Sequence, residues 1–374
     1  MIDSFFSSWT VQNVIAIAIV AVIGGVAFML SRREYWRVAA REVMHNRLAM
    51  ISFAILVLYA LVALLDSVGW RSPVIDPSSG KPSLHPVTGK IMLDRGASAL
   101  DRIIKPLSSR KESTYSAPLA KTLFTTSVGT GADGQAIRVK KELQYPGGHL
   151  LGTDIIGEDV LCMSLKSIRT GLIIGFLTTL IVVPFALMAG MASGYYGGFI
   201  DDAIQYVCTL ISSIPSVLLI AAIMVISGRG LPQLCIAIGI TSWTGLCRLV
   251  RGETLRLREA DFTQAAVALG VSSWRILLKH IMPNVMHIVL INLVLKFSGL
   301  VLAEATLTYL GLGVDANTMS WGTMINDART ELTRYPIIWW KLTSAFIFML
   351  GLVLPANIFG DAVRDALDPR IRTQ

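Results

Sequence analysis

Charge is scarce in this sequence. Asp, Glu, Lys and Arg make up 16% of its 374 residues, against about a quarter in an ordinary soluble domain, which argues against one large core wrapped in a water-facing surface. Cysteine is nearly absent. Cys162, Cys208, Cys235 and Cys247 contain no C-x-x-C pair, so neither a disulfide framework nor a zinc site is indicated. The five histidines, His45, His85, His149, His280 and His287, fall into no metal-ligand spacing. There is no G-x-x-x-x-G-K-[ST] phosphate loop, no H-E-x-x-H and no G-x-S-x-G, so the signatures of nucleotide, zinc-peptidase and serine-hydrolase chemistry are missing. No catalytic residue, metal ligand or cofactor site is assigned to the chain, and no nucleic-acid partner is expected.

Long apolar runs are what the sequence has in quantity. Hydrophobic residues make up 53% of it. Stretches near the bilayer-crossing length of roughly 18 or more residues lie at Val14–Leu30, Ala49–Leu65, Thr170–Gly194, Ala203–Ser227, Leu231–Leu246, Val285–Leu307 and Leu342–Ile358. The expected fold class is an all-α polytopic membrane protein with about seven transmembrane helices and a large external loop. No basic residue precedes the first run, whereas Arg32, Arg33, Arg37, Arg41 and Arg47 follow it against Glu34 and Glu42. That linker is therefore expected in the cytoplasm, with the amino terminus outside and, after seven crossings, the carboxy terminus inside. The first run lacks a positive n-region and a small-residue cleavage pattern, so it reads as a retained anchor and not a signal peptide. Asp201 and Asp202 fall in a short inside turn with no base nearby in sequence. Gly171 with Gly175, and Gly190 with Gly194, have the four-residue spacing that lets helices approach closely. Pro184 and Pro215 should kink the spans that contain them.

Between two apolar runs lies a polar, basic island, RGETLRLREADFTQAAVALGVSSWRILLKHIMPN, from Arg251 to Asn284. Phe262, Ala265, Ala266 and Leu269 recur at i, i+3, i+4 and i+7, which predicts a short helix with one apolar ridge and small residues at its centre. Gly270 tolerates the left-handed conformation that ends such a helix. Ser272 or Ser273 can cap a second one, and Pro283 should stop it before the next span. The expected product is a helix, a turn and a helix outside the bilayer. Arg256, Arg258, Arg275 and Lys279 would hold it at the lipid headgroups, and its alanine-rich ridge would admit a partner surface.

This island resembles the cytoplasmic loop of the integral-membrane permease subunits of binding-protein-dependent ABC importers, in the oligopeptide, dipeptide and nickel branch. The family loop reads roughly E-A-A-x3-G-x9-I-x-L-P, and Gln264, Ala265, Ala266, Gly270 and Pro283 stand at matching places, with Met282 where leucine is usual. Gln264 replaces the family glutamate, so a salt bridge made there by the family is not carried over. Other blocks agree. They are HLLGTDIIGEDVL from His149 to Leu161 with Arg169-Thr170-Gly171, GYYGGFIDDAI followed by SSIPSVLL, Glu304 to Gly322, and GDAVRDALDPR from Gly360 to Arg370. Leu150, Glu158 and Met163 depart from the family's proline, arginine and arginine.

The resemblance implies a six-helix permease core preceded here by one extra span, in a bacterial inner membrane. The chain then divides into an anchor (1–31), a basic linker (32–48), a first core helix (49–66), an external loop with its lead-in (67–168), a core (169–360) containing the cytoplasmic loop (251–284), and a cytoplasmic tail (361–374). The implied partners are a second permease, two cytoplasmic ATPases that bind ATP and Mg, an external solute-binding protein and the bilayer. Glu259, Asp261, Phe262, Gln264, Ala265, Ala266, Leu269, Gly270 and Pro283 are the residues expected to couple to the ATPase. Lys296, near the middle of the sixth run, costs about 2.5 to 3.5 kcal/mol if unpaired in lipid, so it should border a translocation path or meet a partner subunit. Glu304, eight residues on, is the second path candidate. The external stretch from Asp66 to Gly148 reads either as a contact surface for the binding protein or as a solvated loop with short strands such as Ala136–Val139. Peptide is preferred as cargo, since no His, Cys or carboxylate cluster follows the path. Nickel or another small solute, an ion-coupled carrier and a membrane scaffold stay open.

Overall fold

A chain in hydrocarbon must satisfy its own N–H and C=O groups, and helices do so within one segment. The computed structural model describes residues 13, 24–25, 34–71, 96–130, 136–315 and 317–367, and long helices account for most of them. In chain order these are α1 (Glu34–His45), α2 (Arg47–Ser67), the short helices α3 (Ala99–Ile103) and α4 (Lys105–Ser108), α5 (Val160–Tyr196), α6 (Gly198–Ser213), α7 (Ser216–Ser227), α8 (Leu231–Arg258), α9 (Asp261–Ala268), α10 (Ser273–Ile276), α11 (Met282–Tyr309), α12 (Trp321–Glu331) and α13 (Trp340–Leu367). A π-helical turn, Leu277–Ile281, joins α10 to α11. Strands β1 (Gly69–Trp70) and β2 (Ala97–Ser98) pair antiparallel, as do β3 (Thr122–Thr130) and β4 (Ala136–Glu142).

Among the described residues, five helices are long and apolar enough to cross a bilayer: α2, α5, α8, the run Ser273–Tyr309, and α13. The pair α6 and α7 makes a sixth if its two halves form one span. The first expected span, Val14–Leu30, lies almost entirely outside the described residues, as do most of the external loop's Pro/Gly-rich part and the tail beyond Leu367.

Several expected boundaries move, each for a local reason. Ala203–Ser227 is not one straight helix: α6 and α7 meet at 90°. Ile214 is extended (φ −93°, ψ 132°) because the ring of Pro215 disfavours the helical conformation in the residue before it. α5 starts at Val160, ten residues before Thr170, because Asp159 Oδ1 accepts the N–H groups of Leu161 and Cys162 at 2.8 and 3.3 Å. Its interior Pro184 does not end it. α8 continues past Leu246 to Arg258, so Arg251–Arg258 belong to the span's helix and not to the loop. Pro283 does not stop a short helix. It sits in the first turn of α11, and the helix runs on from Ser273. The π turn immediately before it widens the backbone where a proline would otherwise clash with the preceding turn. α13 extends to Leu367, so the expected tail boundary at 360 falls inside a helix. In the external stretch, strand β4 is longer than the expected Ala136–Val139 and pairs with β3.

The chain forms two compact units, one of Met1–Val38, Leu56–Thr170 and Met319–Met349, the other of Ala39–Ile55, Gly171–Thr318 and Leu350–Gln374. The first is organised by buried polar groups. Trp340 donates its indole N–H to the Thr153 carbonyl at 2.9 Å, and the Phe124 ring meets it edge-on at 4.9 Å. Lys341, 2% exposed, lies 2.9 Å from Asp327 Oδ2 and 3.6 Å from Glu331 Oε1, which also accepts the Tyr115 hydroxyl at 3.3 Å. Burial pushes the Glu331 carboxyl up, and burial together with that carboxylate pushes the Tyr115 phenol up to about 12. Buried His149 Nδ1 lies 2.9 Å from Asp159 Oδ2, which ties the lead-in to the start of α5.

The second unit depends on close helix contact. A Cβ at Gly190 of α5 would stand 2.7 Å from the Cys247 carbonyl and from Val250 of α8, and one at Gly194 would stand 2.7 Å from Thr254 and 2.8 Å from the Arg251 carbonyl. Round this contact Ala186, Met191, Trp243, Leu246, Val250, Ile281 and Val285 form one buried cluster. Gly194→Val should therefore force α5 and α8 apart and cost about 1–3 kcal/mol. The check is the melting temperature of the detergent-purified protein, and an unchanged value would contradict the contact.

Candidate functional site

The island resolves into the last turn of α8, helix α9, a turn, and α10. α9 opens with Asp261 in its first turn, where a carboxylate favours the positive end of the helix dipole. Its end is a Schellman turn. Gly270 takes φ +71°, its N–H donates to the Val267 carbonyl at 2.9 Å, and the N–H of Val271 donates to the Ala266 carbonyl at 3.1 Å. Of the two candidate caps, Ser272 stands at the N-cap position of α10, but its side chain makes no capping bond.

The apolar ridge divides in two. Thr263 and Ala266 turn inward, and Ala266, 7% exposed, joins the cluster of Ile276, Leu277 and Ile281. Phe262 (44% exposed), Ala265 and Leu269 (83%) face away from the chain. The expectation that Ala266 lies on the exposed ridge is thereby corrected: it is a packing residue that seats α9 on its own protein. Two exposed apolar residues escaped the sequence pattern, Val267 on α9 and Trp274 on α10. A tryptophan in an otherwise basic island was the available signal for the second.

The charges round the element are mostly engaged within the chain. Arg256 pairs with Glu253, and Arg258 with Glu259 at 2.9 Å while also donating to the Tyr195 carbonyl at 3.3 Å. These two arginines are therefore not simply headgroup contacts. Arg275 and Lys279 are exposed. Gln264 Nε2 donates to the Arg258 carbonyl at 3.0 Å, a bond that a glutamate could not make, so the glutamine ties α9 to the end of α8. Pro283 and Glu259 are exposed, the latter beside α9 and the former on the continuing helix. Asp201, without a base nearby in sequence, has one in space: Arg251 Nε and Nη2 donate to its two carboxylate oxygens at 2.6 and 2.5 Å, and Ser193 donates to it at 2.5 Å.

The two path candidates separate. Lys296 is exposed on α11, and its Nζ lies against Gly245 of α8, 3.2 Å from where a Cβ would stand. Glu304 is fully buried and its Oε1 accepts the Thr308 hydroxyl at 2.9 Å, so its carboxylate does not face an open path in this structure.

A model of the family described as binding-protein-dependent transport system inner membrane component matches residues 183–373, which contain this element, and one of the N-terminal transmembrane domain of oligopeptide transport permease C matches residues 34–81. The oligopeptide transport system permease protein of Bacillus subtilis is 35% identical over 224 residues, covering 60% of this chain and 72% of that protein. The dipeptide transport system permease protein of the same organism is 32% identical over 225 residues, covering 60% and 69%. The oligopeptide permease of Mycobacterium tuberculosis is 38% identical over 234 residues, covering 62% and 79%. Among solved structures, a chain of the inward-facing methionine ABC transporter MetNI overlaps with a TM-score of 0.43 at 16% identity, over 56% of this chain and 96% of that one.

The bidentate Arg251–Asp201 pair fixes α6 to α8 just before the element begins. Arg251→Gln should lower stability by about 1 kcal/mol, above the exposed-pair median but screened by its partial exposure. Asp201→Asn in the same background should add little, and a thermal double-mutant cycle showing full additivity would remove the coupling.

Proposed function

The chain belongs to the family of binding-protein-dependent transport system inner membrane components, and from that membership we propose that it imports di- or oligopeptides, with α9 as the element that couples it to ATPase subunits on separate polypeptides. The observation that carries the reading is the two-sided helix α9. Thr263 and Ala266 anchor it to the core of its own chain, while Phe262, Ala265 and Leu269 are left for another surface. A helix held on one side and apolar on the other transmits force because its partner moves it without peeling it off. Gly270, in its left-handed conformation, sets the angle between this lever and α10.

The partners are a second permease, two ATPases that bind ATP and Mg, and an external binding protein. Peptide is the cargo favoured by the relatives' names. The basic linker after the first apolar run supports an amino terminus outside and a carboxy terminus in the cytoplasm. Lys296 supports a path role: an ammonium on the exposed face of a span needs an anion or water, and the free carboxylate of a peptide supplies the anion.

Two substitutions test coupling together. Ala265→Trp, on the exposed face, should lower ATP-driven peptide uptake by the reconstituted complex roughly tenfold, the effect of losing about 1.4 kcal/mol of docking, with an unchanged melting temperature. Ala266→Trp should instead destabilise the subunit by about 1–3 kcal/mol through overpacking. Wild-type uptake and substrate-stimulated hydrolysis in Ala265→Trp would sink the coupling assignment.

For the path, Lys296→Met should reduce uptake of peptides with a free carboxy terminus more than uptake of the same peptides amidated there. An equal loss for both would assign Lys296 to subunit contact, and no loss would take it out of the path.

A further inference from the structure

Between α12 and α13 the chain runs through turns and bends as a short strap, Leu332–Trp339, whose side chains sort by direction. Ile338 and Trp340 turn in and are buried, while Leu332, Tyr335, Ile337 and Trp339 turn out. Tyr335 is 101% exposed, and Ile337 and Trp339 are more than half exposed. So much aromatic and aliphatic surface on eight consecutive residues would be costly in water.

Its position says what covers it. Trp339 directly precedes α13, and its carbonyl accepts both the N–H and the hydroxyl of Thr343, at 3.1 and 3.0 Å, so its backbone is held in register with the helix. Counting by fours from Trp339 through Thr343 reaches Ile347, and exposed Phe346, Leu350 and Leu354 share that side. An exposed apolar stripe on a helix long enough to cross a bilayer is the kind of surface that lipid covers. The strap continues that exposed apolar stripe beyond the start of α13, and at the ends of membrane spans Trp and Tyr are enriched because one end of each ring is apolar and the other polar.

Two further features fit that layer. The charge that would resist burial at the head of α13, Lys341, is turned inward onto Asp327 and Glu331. Arg334, at the start of the strap, is exposed and stacks its guanidinium 5.4 Å above the Tyr115 ring. Beside it lies an open cavity of about 280 Å³ lined by Phe124, Thr125, Arg334, Tyr335, Pro336 and Ile338, apolar on most sides with one cation at its rim.

We infer that Leu332–Trp339 is an interfacial membrane anchor, with Tyr335, Ile337 and Trp339 in the headgroup layer and Arg334 holding the phosphate of an anionic phospholipid whose glycerol region enters the cavity beside it. The anchor sets the depth and tilt of α13 at this boundary. A bidentate guanidinium suits a phosphate, and the neighbouring rings suit the first carbons of the acyl chains.

The test uses the full chain, within its complex, in nanodiscs of phosphatidylethanolamine and phosphatidylglycerol. A spin label is placed at Tyr335→Cys and, separately, at Ile337→Cys; both positions are exposed, whereas the four native cysteines are buried and free, so labelling is selective. Lys140→Cys, at an exposed position of β4, serves as the water-facing control. Both strap labels should be relaxed by oxygen and shielded from a water-soluble nickel chelate, unlike the control. Adding Arg334→Gln should increase nickel access at Tyr335→Cys, and so should replacing phosphatidylglycerol by phosphatidylcholine. Nickel access equal to that of the control at both positions overturns the anchor. Shielding that appears only when a solute-binding protein is added overturns it in favour of a protein contact. Shielding indifferent to both Arg334 and lipid charge retains the anchor and removes the phosphate site.

Discussion

The close contact of α5 with α8 at Gly190 and Gly194 is the constraint on which the second unit depends. Lipid tails are as apolar as leucine side chains, so burial gives helices little reason to associate within a bilayer. What remains is dispersion between backbones near enough to touch, and two glycines one turn apart allow that approach. Everything further along α8 inherits its position. Arg251 then reaches Asp201, Thr254 closes over Gly194, and the end of the helix delivers Arg258 to the carbonyl of Tyr195.

Helix α9, the proposed coupling element, is an extension of the same contact. α9 is too short to be stable alone in water. It holds its shape because Ala266 and Thr263 are buried, because Gln264 ties it back to α8, and because a Schellman turn at Gly270 satisfies its last carbonyls. Its outer face carries no structural duty, which leaves Phe262, Ala265 and Leu269 available for another surface.

The first unit solves a different problem. It holds several buried ionisable groups, and each is met by a neighbour: Lys341 by Asp327 and Glu331, Glu331 by Tyr115, His149 by Asp159. Breaking one such pair would strand a charge out of water. The pairs of Lys341 lie at the start of α13, and the apolar strap beside them carries only Arg334 as a charged residue.

The sequence by itself determined that the chain is a multispanning helical membrane protein, where most of its spans lie, and that a short helix ends at Gly270. These follow from local physics: apolar length, basic flanks, and a glycine where φ must be positive. Periodicity placed Phe262, Ala265, Ala266 and Leu269 on one ridge, but it could not divide them, because which side of a helix is buried depends on what packs against it. Only the tertiary structure decided that Ala266 faces inward, that Arg251 answers Asp201 from fifty residues away, and that Glu304 is enclosed while Lys296 is exposed. It also decided the span ends. α8 outran its apolar run because ion pairs and close packing extend a helix beyond hydrocarbon, and the helix from Ser273 ran through Pro283 because one π turn relieved the clash. Local rules set where a helix can begin or end, and long-range contacts set where it does.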